Sequence, residues 1–343
     1  MRIVKKNRCF IVAELSANHG GKLKNLIRMI HQAKIAGADA VKIQAYEADS
    51  ITMDSEKSYF KLKSKSKWKK YDNLYKLYKK GQTPRHWYKK IFSYAKKINI
   101  TLFASVFDIN TLEYFEKEIK CPIYKIASPE ITDIPLLKQV AKTGKPIIIS
   151  NGLSNFEDLK LAVKTIKKFN QKLIILKCTS TYPAPKTSLD LSTMRDIEKK
   201  FSCNAGFSDH TTGINSSVFA AAIGAKVIEK HVVLNKKSKT VDNFFSIDFK
   251  EFKKMVNEIR DNERSLGKIS YKIHPSSQVN IHGRKSIFVL KNIKKGEKFT
   301  KDNIKSIRPY HGLHPKYYEF VLNKKAKKNL FSGDPLKLKY VQK

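Results

Sequence analysis

Cysteine is scarce in this chain of 343 residues, and its few cysteines follow no metal-binding or redox spacing. The four lie at positions 9, 121, 178 and 203, with no CxxC pair among them. The first three stand within or beside apolar, strand-like runs, which is typical of buried thiols in a reducing compartment. We therefore expect no disulfide framework and a cytoplasmic location.

Long apolar runs are also missing from the sequence. No stretch approaches the ~20 consecutive apolar residues that a membrane-spanning helix needs. The first eight residues, MRIVKKNR, lack the apolar core of a secretory signal. The apolar content of 41% is nevertheless ordinary for a globular protein. We expect a large core and no membrane partner.

Acidic residues are few: 30 Asp and Glu stand against 69 Lys and Arg, a net charge of +39. Such an excess suggests nucleic-acid or anionic-membrane binding, or simply a lysine-biased composition on every exposed face. The lysines are spread along the whole chain, and no basic arm with interleaved aromatic residues is present. We therefore favour the second interpretation, although an anionic substrate would benefit from the positive field. A basic scaffold that binds nucleic acid stays open as the weaker alternative.

Residues 206–234 contain the most informative pattern, GFSDHTTGINSSVFAAAIGAKVIEKHVVL. The pattern predicts a strand ending at His210, a helix over 214–223 capped by Thr211 or Thr212, and a second strand ending near His231. Neighbouring parallel strands bring their C-terminal ends together, so the two imidazoles could share one divalent metal. Two unrelated histidines, one at a strand end and one under a loop, are the alternative.

The same strand–helix pattern repeats through the first 266 residues. Apolar runs at 9–14, 40–43, 101–104, 123–126, 146–149 and 173–176 precede the two strands above, and amphipathic helices separate them. Ser154 and Glu157 form a candidate capping box for the helix after the fifth strand. Eight such units favour a closed (β/α)8 TIM barrel over a doubly wound sheet. Residues 45–82 are a Lys/Ser/Tyr-rich insertion.

The pattern changes after the predicted barrel. We assign residues 1–266 to the barrel, 267–283 to a linker without periodicity, and 284–343 to a small β-rich domain. Short alternating runs, a turn at 295–296 and further glycine and proline residues indicate that last domain.

Ionisable and hydroxylic side chains follow nearly every predicted barrel strand. In a TIM barrel these positions form the active-site rim, so the groups predict a pocket for a phosphorylated or carboxylated small substrate beside a metal. In chain order they are Glu14, Ser16, Asn18, His19, Lys42, Gln44, Ser105, Lys125, Ser128, Glu130, Ser150, Asn151, Lys177, Thr179, Ser180, Tyr182, Ser208, Asp209, His210, Glu229 and His231.

Seven blocks in order make the chain resemble the sialic acid synthase family. They are AELSANHGG at 13–21, AGADAVKIQ at 36–44, YKIASPEITDIPL at 124–136, GKPIIISNG at 144–152, KCTSTYPAP at 177–185, GFSDHTTGI at 206–214 and IEKH at 228–231. SIRPYHGLHPKY at 306–317 is similar to the antifreeze-like (SAF) domain that follows the barrel in this family. The resemblance implies condensation of phosphoenolpyruvate with an acetamido sugar to a nine-carbon α-keto acid and phosphate.

Within the family, ELSANH, CTSTYPAP and RPYHGLHPKY look most like the branch that makes pseudaminic acid from 2,4-diacetamido-2,4,6-trideoxy-L-altrose. Synthesis of N-acetylneuraminate or legionaminate is the near alternative. Ser180 stands where sialic acid synthases carry asparagine, and Gly20 where many members carry another. Both departures concern sugar binding and argue against N-acetylmannosamine as the substrate.

The resemblance also implies roles for single residues. His210 and His231 match the metal ligands, usually for Mn2+, with Mg2+ or Co2+ as alternatives, and the metal would polarise the sugar aldehyde. Glu14 matches a carboxylate near the metal-bound water and a sugar hydroxyl, and Glu130 one that faces the reacting carbons. The groups implied to bind the two substrates are Lys42, Lys125, Ser150 and Ser208 for phosphoenolpyruvate, and Gln44, Ser105, Ser128, Ser180, Tyr182 and Asp242 for the rest of the pocket.

In the family the small domain caps the barrel of the other subunit. The resemblance therefore implies a domain-swapped homodimer in which Arg308 reaches the acyl group of the sugar in the partner's pocket. A solvated arginine is the alternative in so basic a chain. One further enzymatic alternative is an aldolase in which Lys125 forms a Schiff base with pyruvate, although the histidine pair makes it unnecessary.

Overall fold

Eight parallel strands close into a barrel in the first of the two units of the chain, Met1–Gly267 and Lys268–Lys343. The structure is a computed structural model that describes Ile3 and residues 8–342. β1 pairs with both β2 and β8, which closes the sheet and confirms the predicted TIM barrel. The barrel strands are β1 (Phe10–Glu14), β2 (Ala40–Ala45), β3 (Thr101–Val106), β4 (Tyr124–Ile126), β5 (Ile147–Ser150), β6 (Leu173–Cys178), β7 (Asn204–Asp209) and β8 (Val227–Val233).

Apolar side chains line both faces of these strands because helices cover the outside and side chains fill the inside. β1 is buried at every position, and so are β5 and β8. A short strand, β9 (Ile247–Asp248), extends the sheet beside β8. The helices of the first unit are α1 (Leu23–Ile35), α2 (Ala48–Ile51), α3 (Leu74–Gly81), α4 (Tyr88–Lys97), α5 (Ile109–Tyr114), α6 (Ile134–Lys142), α7 (Phe156–Lys167), α8 (Thr193–Phe201), α9 (Asn215–Ala222) and α10 (Phe249–Leu266).

Two predicted helix caps are wrong. The capping box of α7 is formed by Asn155 and Asp158, one residue after the predicted pair. α9 begins after Ile214 and has no side-chain cap. Thr211 lies in the loop before that helix, and its backbone N–H donates to the carboxylate of Asp209 over 2.8 Å.

Residues 45–82, predicted only as an insertion, fold over the C-terminal end of the barrel. Besides α2 and α3 they contain two 3-10 turns, Ser58–Phe60 and Lys69–Tyr71. The indole Nε1 of Trp68 donates to the carbonyl of Val241 over 3.0 Å. Ala17, Leu77 and Val241 form a small apolar cluster there, separate from the barrel core. This segment therefore forms part of the wall around the barrel mouth.

The second unit has its own apolar core. β10 (Ser286–Val289) and β11 (Ile304–Ile307) are antiparallel, and isolated bridges and a short helix, α11 (Tyr318–Val321), complete it. Its buried residues include Ile287, Phe299 and Leu330. The predicted linker contains an exposed 3-10 stretch, Pro275–Gly283. No helix in the described part of the chain is both long and apolar enough to cross a bilayer.

Candidate active site

A cavity of about 550 Å³ opens at the C-terminal ends of the barrel strands. Most of the predicted site residues line it, because successive inward positions of neighbouring strands end there. The predicted residues in its wall are Lys42, Gln44, Ser105, Lys125, Ser128, Glu130, Ser150, Tyr182, Ser208, His210, His231 and Asp242.

Of the residues to which the family resemblance gives a role, three lie outside this wall. Among the other predicted strand-end groups, Glu229 lines the cavity, whereas the following do not: Ser16, Asn18, His19, Asn151, Lys177, Thr179 and Asp209. Glu14 is fully buried beside the cavity, with its Oε2 atom 3.2 Å from Lys42 Nζ. Ser180 is half-buried behind the cavity, and its hydroxyl lies 3.9 Å from the Cys178 thiol. Arg308 belongs to the second unit, where it is exposed just after β11. The cavity thus brings together the predicted anion-binding and metal-binding groups of the barrel.

Glu229 connects the two buried lysines of the cavity. Its Oε1 atom lies 2.8 Å from Lys42 Nζ and 3.9 Å from Lys125 Nζ, and it accepts a hydrogen bond from Ser208 over 3.0 Å. Lys125 also donates to Ser150 over 2.6 Å. Sequence reasoning placed Glu229 at a strand end but gave it no role. Its position two residues before His231 could not by itself distinguish a ligand from a counter-ion.

The ionisation of this cluster follows from burial and charge. Burial opposes the charged form of Glu229, but Lys125 and Lys42 lower its pKa to about 2. Burial raises the pKa of Glu14 to about 7, since Lys42 offsets only part of the desolvation. Burial also lowers the pKa of Lys125 to about 8. Near neutral pH both lysines are therefore charged and Glu229 is ionised, whereas Glu14 is only partly ionised.

The two imidazoles of the predicted metal site lie side by side in an edge-on arrangement, with ring centroids 5.3 Å apart. His210 Nδ1 lies 2.9 Å from the carbonyl of Thr179, which makes Nδ1 the protonated nitrogen and leaves Nε2 with a lone pair. Within the described residues, the buried Nδ1 of His231 has no hydrogen-bond partner. Burial lowers the pKa of His231 well below its usual value, so this ring is neutral, the form that binds metals.

The residues present fit a divalent ion with two protein ligands. In the described part of the chain, no cluster of three or more His, Cys, Asp or Glu side chains is arranged around a common point. The remaining coordination would come from water or substrate, which suits an ion that must bind an incoming oxygen. His210 and His231 are the residues that would hold it.

Aromatic side chains form the upper wall of the cavity. Tyr182 is one of the predicted site residues, whereas sequence reasoning missed Phe245 and Tyr46. Tyr182 stacks near His210 at 4.4 Å between ring centroids, and Phe245 lies 4.8 Å from His231. Tyr46 packs edge-on against Phe107 at 5.1 Å. Tyr46 continues the inward series of Lys42 and Gln44 by alternation along β2, so extending that series two residues would have found it. Phe245 gives no such signal.

Besides His231 Nδ1 and Glu229 Oε2, two further polar atoms of the cavity wall have no hydrogen-bond partner among the described residues. They are Ser105 Oγ and Glu130 Oε2, and both are buried. Burial raises the pKa of Glu130 to about 7, so this carboxyl can accept or donate a proton near neutral pH. Both atoms are therefore suited to contact a substrate rather than the protein.

Comparison with known proteins places this geometry in a family. A model of the NeuB family matches residues 29–271, and a SAF domain model matches residues 284–341. The chain is 42% identical over 331 residues to a pseudaminic acid synthase of Campylobacter jejuni subsp. jejuni serotype O:2, covering 96% of both chains. It is 40% identical over 328 residues to the pseudaminic acid synthase of Helicobacter pylori, covering 95% of this chain and 96% of the relative.

A solved structure agrees with these matches. The crystal structure of N-acetylneuraminic acid synthetase from Leptospira borgpetersenii serovar Hardjo-bovis in complex with citrate superposes with a TM-score of 0.72 at 31% identity. The superposition covers 82% of this chain and 93% of that one. The chain thus has lysines at its strand ends, a pair of adjacent histidines and a small domain after the barrel, together with family matches along nearly its whole length. It belongs to the NeuB family of sialic acid synthase-like enzymes, with a SAF domain at its C-terminal end.

Proposed function

We propose that this enzyme condenses phosphoenolpyruvate with 2,4-diacetamido-2,4,6-trideoxy-L-altrose and water, which gives pseudaminic acid and phosphate. The observation that carries the proposal is the single cavity in which two buried lysines lie beside a pair of adjacent imidazoles. The two pseudaminic acid synthases at 40–42% identity support the choice of sugar.

The phosphate and carboxylate of phosphoenolpyruvate bind at the lysine end of the cavity. Lys42 and Lys125 supply the charges, and Ser150 and Ser208 supply hydroxyl donors that already contact this cluster. Charged donors in a buried pocket hold a phosphate more strongly than they would in water. This end of the site also stabilises the phosphate group as it leaves.

The aldehyde of the open-chain sugar lies at the imidazole end. A divalent ion held by His210 and His231, Mn2+ by the family resemblance, would polarise the aldehyde carbonyl. Tyr182 and Phe245 exclude water from the space beside the two rings. The sugar and phosphoenolpyruvate therefore meet between the lysines and the imidazoles, so that C3 of phosphoenolpyruvate faces the aldehyde carbon.

Glu130 is the proton-transfer group that we assign. C3 of phosphoenolpyruvate bonds to the aldehyde carbon, and the aldehyde oxygen takes up a proton and becomes a hydroxyl. A water oxygen adds to C2 and gives up one proton; the C2–O bond then breaks, phosphate leaves with the bonding electrons, and the remaining C2 hydroxyl loses its proton to become the keto group. Glu130 Oε2, which is buried and has no hydrogen-bond partner in the described part of the chain, accepts a proton from the water that adds to C2. A carboxyl with a pKa of about 7 is well matched to this step. The family resemblance alone assigns a sugar hydroxyl to Glu14, which is buried beside the cavity next to Lys42.

The working assembly that we propose is a homodimer in the cytoplasm. Arg308 of one subunit then completes the sugar pocket of the other. The four cysteines are all unpaired, which is consistent with a reducing compartment.

Phosphate release is the direct test of this function. Purified enzyme with Mn2+ and phosphoenolpyruvate is assayed with the diacetamido altrose, with the diacetamido precursor of legionaminic acid and with N-acetylmannosamine. We expect the highest kcat/KM with the altrose derivative. A higher value with either other sugar would reassign the substrate within the family.

Two controls separate the other classes of function. Borohydride in the presence of pyruvate should trap no adduct, because no Schiff base is formed. Salt-dependent nucleic-acid binding without any phosphate release would instead support the scaffold alternative.

A further inference from the structure

A fully buried ion pair lies directly outside the two metal-binding imidazoles. Lys230 Nζ is 2.9 Å from Asp209 Oδ2, and both side chains have 0% exposure. The two residues are cross-strand partners in the register of β7 and β8. Each is also the sequence neighbour of one imidazole, since His210 follows Asp209 and His231 follows Lys230.

Strand alternation places this pair on the outer face of the barrel. Ser208, Glu229 and His231 line the cavity, so the intervening Asp209 and Lys230 side chains point the other way. Helix α9 covers them there, and Ser217 of this helix donates to Asp209 Oδ2 over 2.6 Å. The pair therefore cannot touch a substrate and can act only through the backbone that it holds.

The remaining hydrogen bonds of the pair hold the loop that contains His210. Asp209 Oδ1 accepts the backbone N–H of Thr211 over 2.8 Å, and Lys230 Nζ donates to the carbonyl of Thr211 over 2.5 Å. Both polar backbone groups of Thr211 are thus fixed by the pair. His210 lies between Asp209 and Thr211, so its position relative to β8 is determined on both sides.

Stability alone is a poor reason for such a pair. Removing two charges from water is unfavourable, and apolar replacements of buried ion pairs are often neutral or stabilising. An ion pair does, however, fix one geometry through directional contacts that apolar packing does not impose. The two imidazoles beside the pair must bind one ion together, and this requires that their relative position be fixed.

We propose that Asp209 and Lys230 are positioning residues for the divalent metal. They hold the loop of His210 against β8, so that the imidazoles of His210 and His231 keep the spacing that one ion requires. The inference rests on the metal site of the proposed function, but not on the identity of the sugar. Ser217 belongs to the same unit because it fixes the Asp209 carboxylate from α9.

The test measures Mn2+ affinity directly on the full chain, by the EPR signal of free Mn2+ during titration. We expect Asp209→Asn and Lys230→Met to raise the Kd for Mn2+ by roughly 10- to 100-fold, the range typical for residues that orient metal ligands. Ser217→Ala removes one bond without leaving a buried charge, and we expect a severalfold rise. Thermal melting of each variant shows whether it is folded.

Asp39→Asn is the matched control. It breaks the partly buried ion pair between Asp39 and Arg260, 2.5 Å apart, just before the start of β2 at the opposite end of the barrel. We expect it to lower the melting temperature and to leave the Kd for Mn2+ unchanged. This comparison separates a general loss of stability from loss of the metal geometry.

Each outcome decides between the hypotheses. The positioning role would be overturned if the Kd for Mn2+ stayed unchanged in folded Ser217→Ala and also in Asp209→Asn or Lys230→Met. The proposed function would remain intact in that case. If the charge variants do not fold, the Kd of Ser217→Ala alone decides. Failure of the wild-type protein to bind Mn2+, Mg2+ or Co2+ would overturn the metal assignment and the inference together.

Discussion

At the scale of single residues, the carboxylates of Glu229 and Glu14 explain how two lysines can be buried side by side. Lys42 and Lys125 are each less than 4% exposed, and an isolated ammonium group at such a position would lose its proton. Glu229 lies between them and keeps Lys42 charged, with help from Glu14. The lysines themselves were predictable from their strand-end positions. The role of Glu229 was not, because a counter-ion is identified by what it contacts.

Lys125→Ala is expected to weaken phosphoenolpyruvate binding much more than sugar binding. A charge-assisted hydrogen bond contributes about 1.5–3 kcal/mol, which corresponds to a roughly ten- to hundredfold rise in the KM for phosphoenolpyruvate. Steady-state kinetics with each substrate varied in turn measures both constants. Lys177→Ala is the matched control and should change neither, because Lys177 lies on β6, two strands away from β4, and outside the cavity wall. A rise only in the KM for the sugar would show that the two halves of the pocket are reversed.

The affinity for phosphoenolpyruvate should also depend on pH through Lys125. Burial lowers the pKa of this lysine to about 8, so its charged form is complete well below pH 8 and is lost as the pH rises through that value. We expect kcat/KM for phosphoenolpyruvate to fall above about pH 8. Lys125→Arg keeps its charge at all these pH values, so the fall should move to higher pH in that variant. The same pH profile in the arginine variant would assign the fall to another group.

At the scale of secondary structure, the two imidazoles come from the residue directly after β7, His210, and from β8, which contains His231. We expect His210→Ala or His231→Ala to abolish turnover in protein that remains folded, because one imidazole cannot hold the ion alone. A chelator should inactivate the wild-type enzyme, and added Mn2+ should restore it. Phosphate release and circular dichroism check these outcomes. Near-normal activity of either alanine variant would contradict the metal assignment.

The strands were far easier to predict than the caps and the insertion. A barrel strand is buried on both faces, so it appears in the sequence as a short apolar run that few other structures produce. The cap of α7 lies one residue from the predicted one because Ser154 and Asn155 are both good N-cap residues. Residues 45–82 have no period because their apolar side chains, such as Trp68, contact barrel loops distant in sequence.

For the whole molecule, the prediction with the largest consequence concerns assembly. Arg308 is exposed, and no ion pair joins it to any residue that the structure describes. If it completes the partner's pocket, a mixture of Arg308→Ala and Glu14→Ala subunits should recover activity, because a mixed dimer contains one intact composite site. Each variant alone should be nearly inactive.

The mixing experiment needs proof that subunits exchange. Native mass spectrometry of differently tagged subunits supplies it, and a mixture of Arg308→Ala with Arg308→Ala carrying the second tag is the control. Exchange without recovered activity would mean that each chain caps its own barrel. A monomeric wild-type protein would contradict the proposed assembly directly.

The bridge from Glu229 to Lys42 and Lys125 has a consequence for how the substrate enters. The pocket contains its own counter-ion, Glu229, so phosphoenolpyruvate has to replace an internal carboxylate beside the lysines rather than neutralise lysines that have no partner. The lysines lose their water and take up their positions when the protein folds, so neither step has to be repeated in each catalytic cycle. When phosphoenolpyruvate binds to lysines that already have a carboxylate partner, fewer salt ions are released than when it binds to a basic cleft without one. The affinity for phosphoenolpyruvate should therefore respond less to ionic strength than the charge of the whole chain suggests.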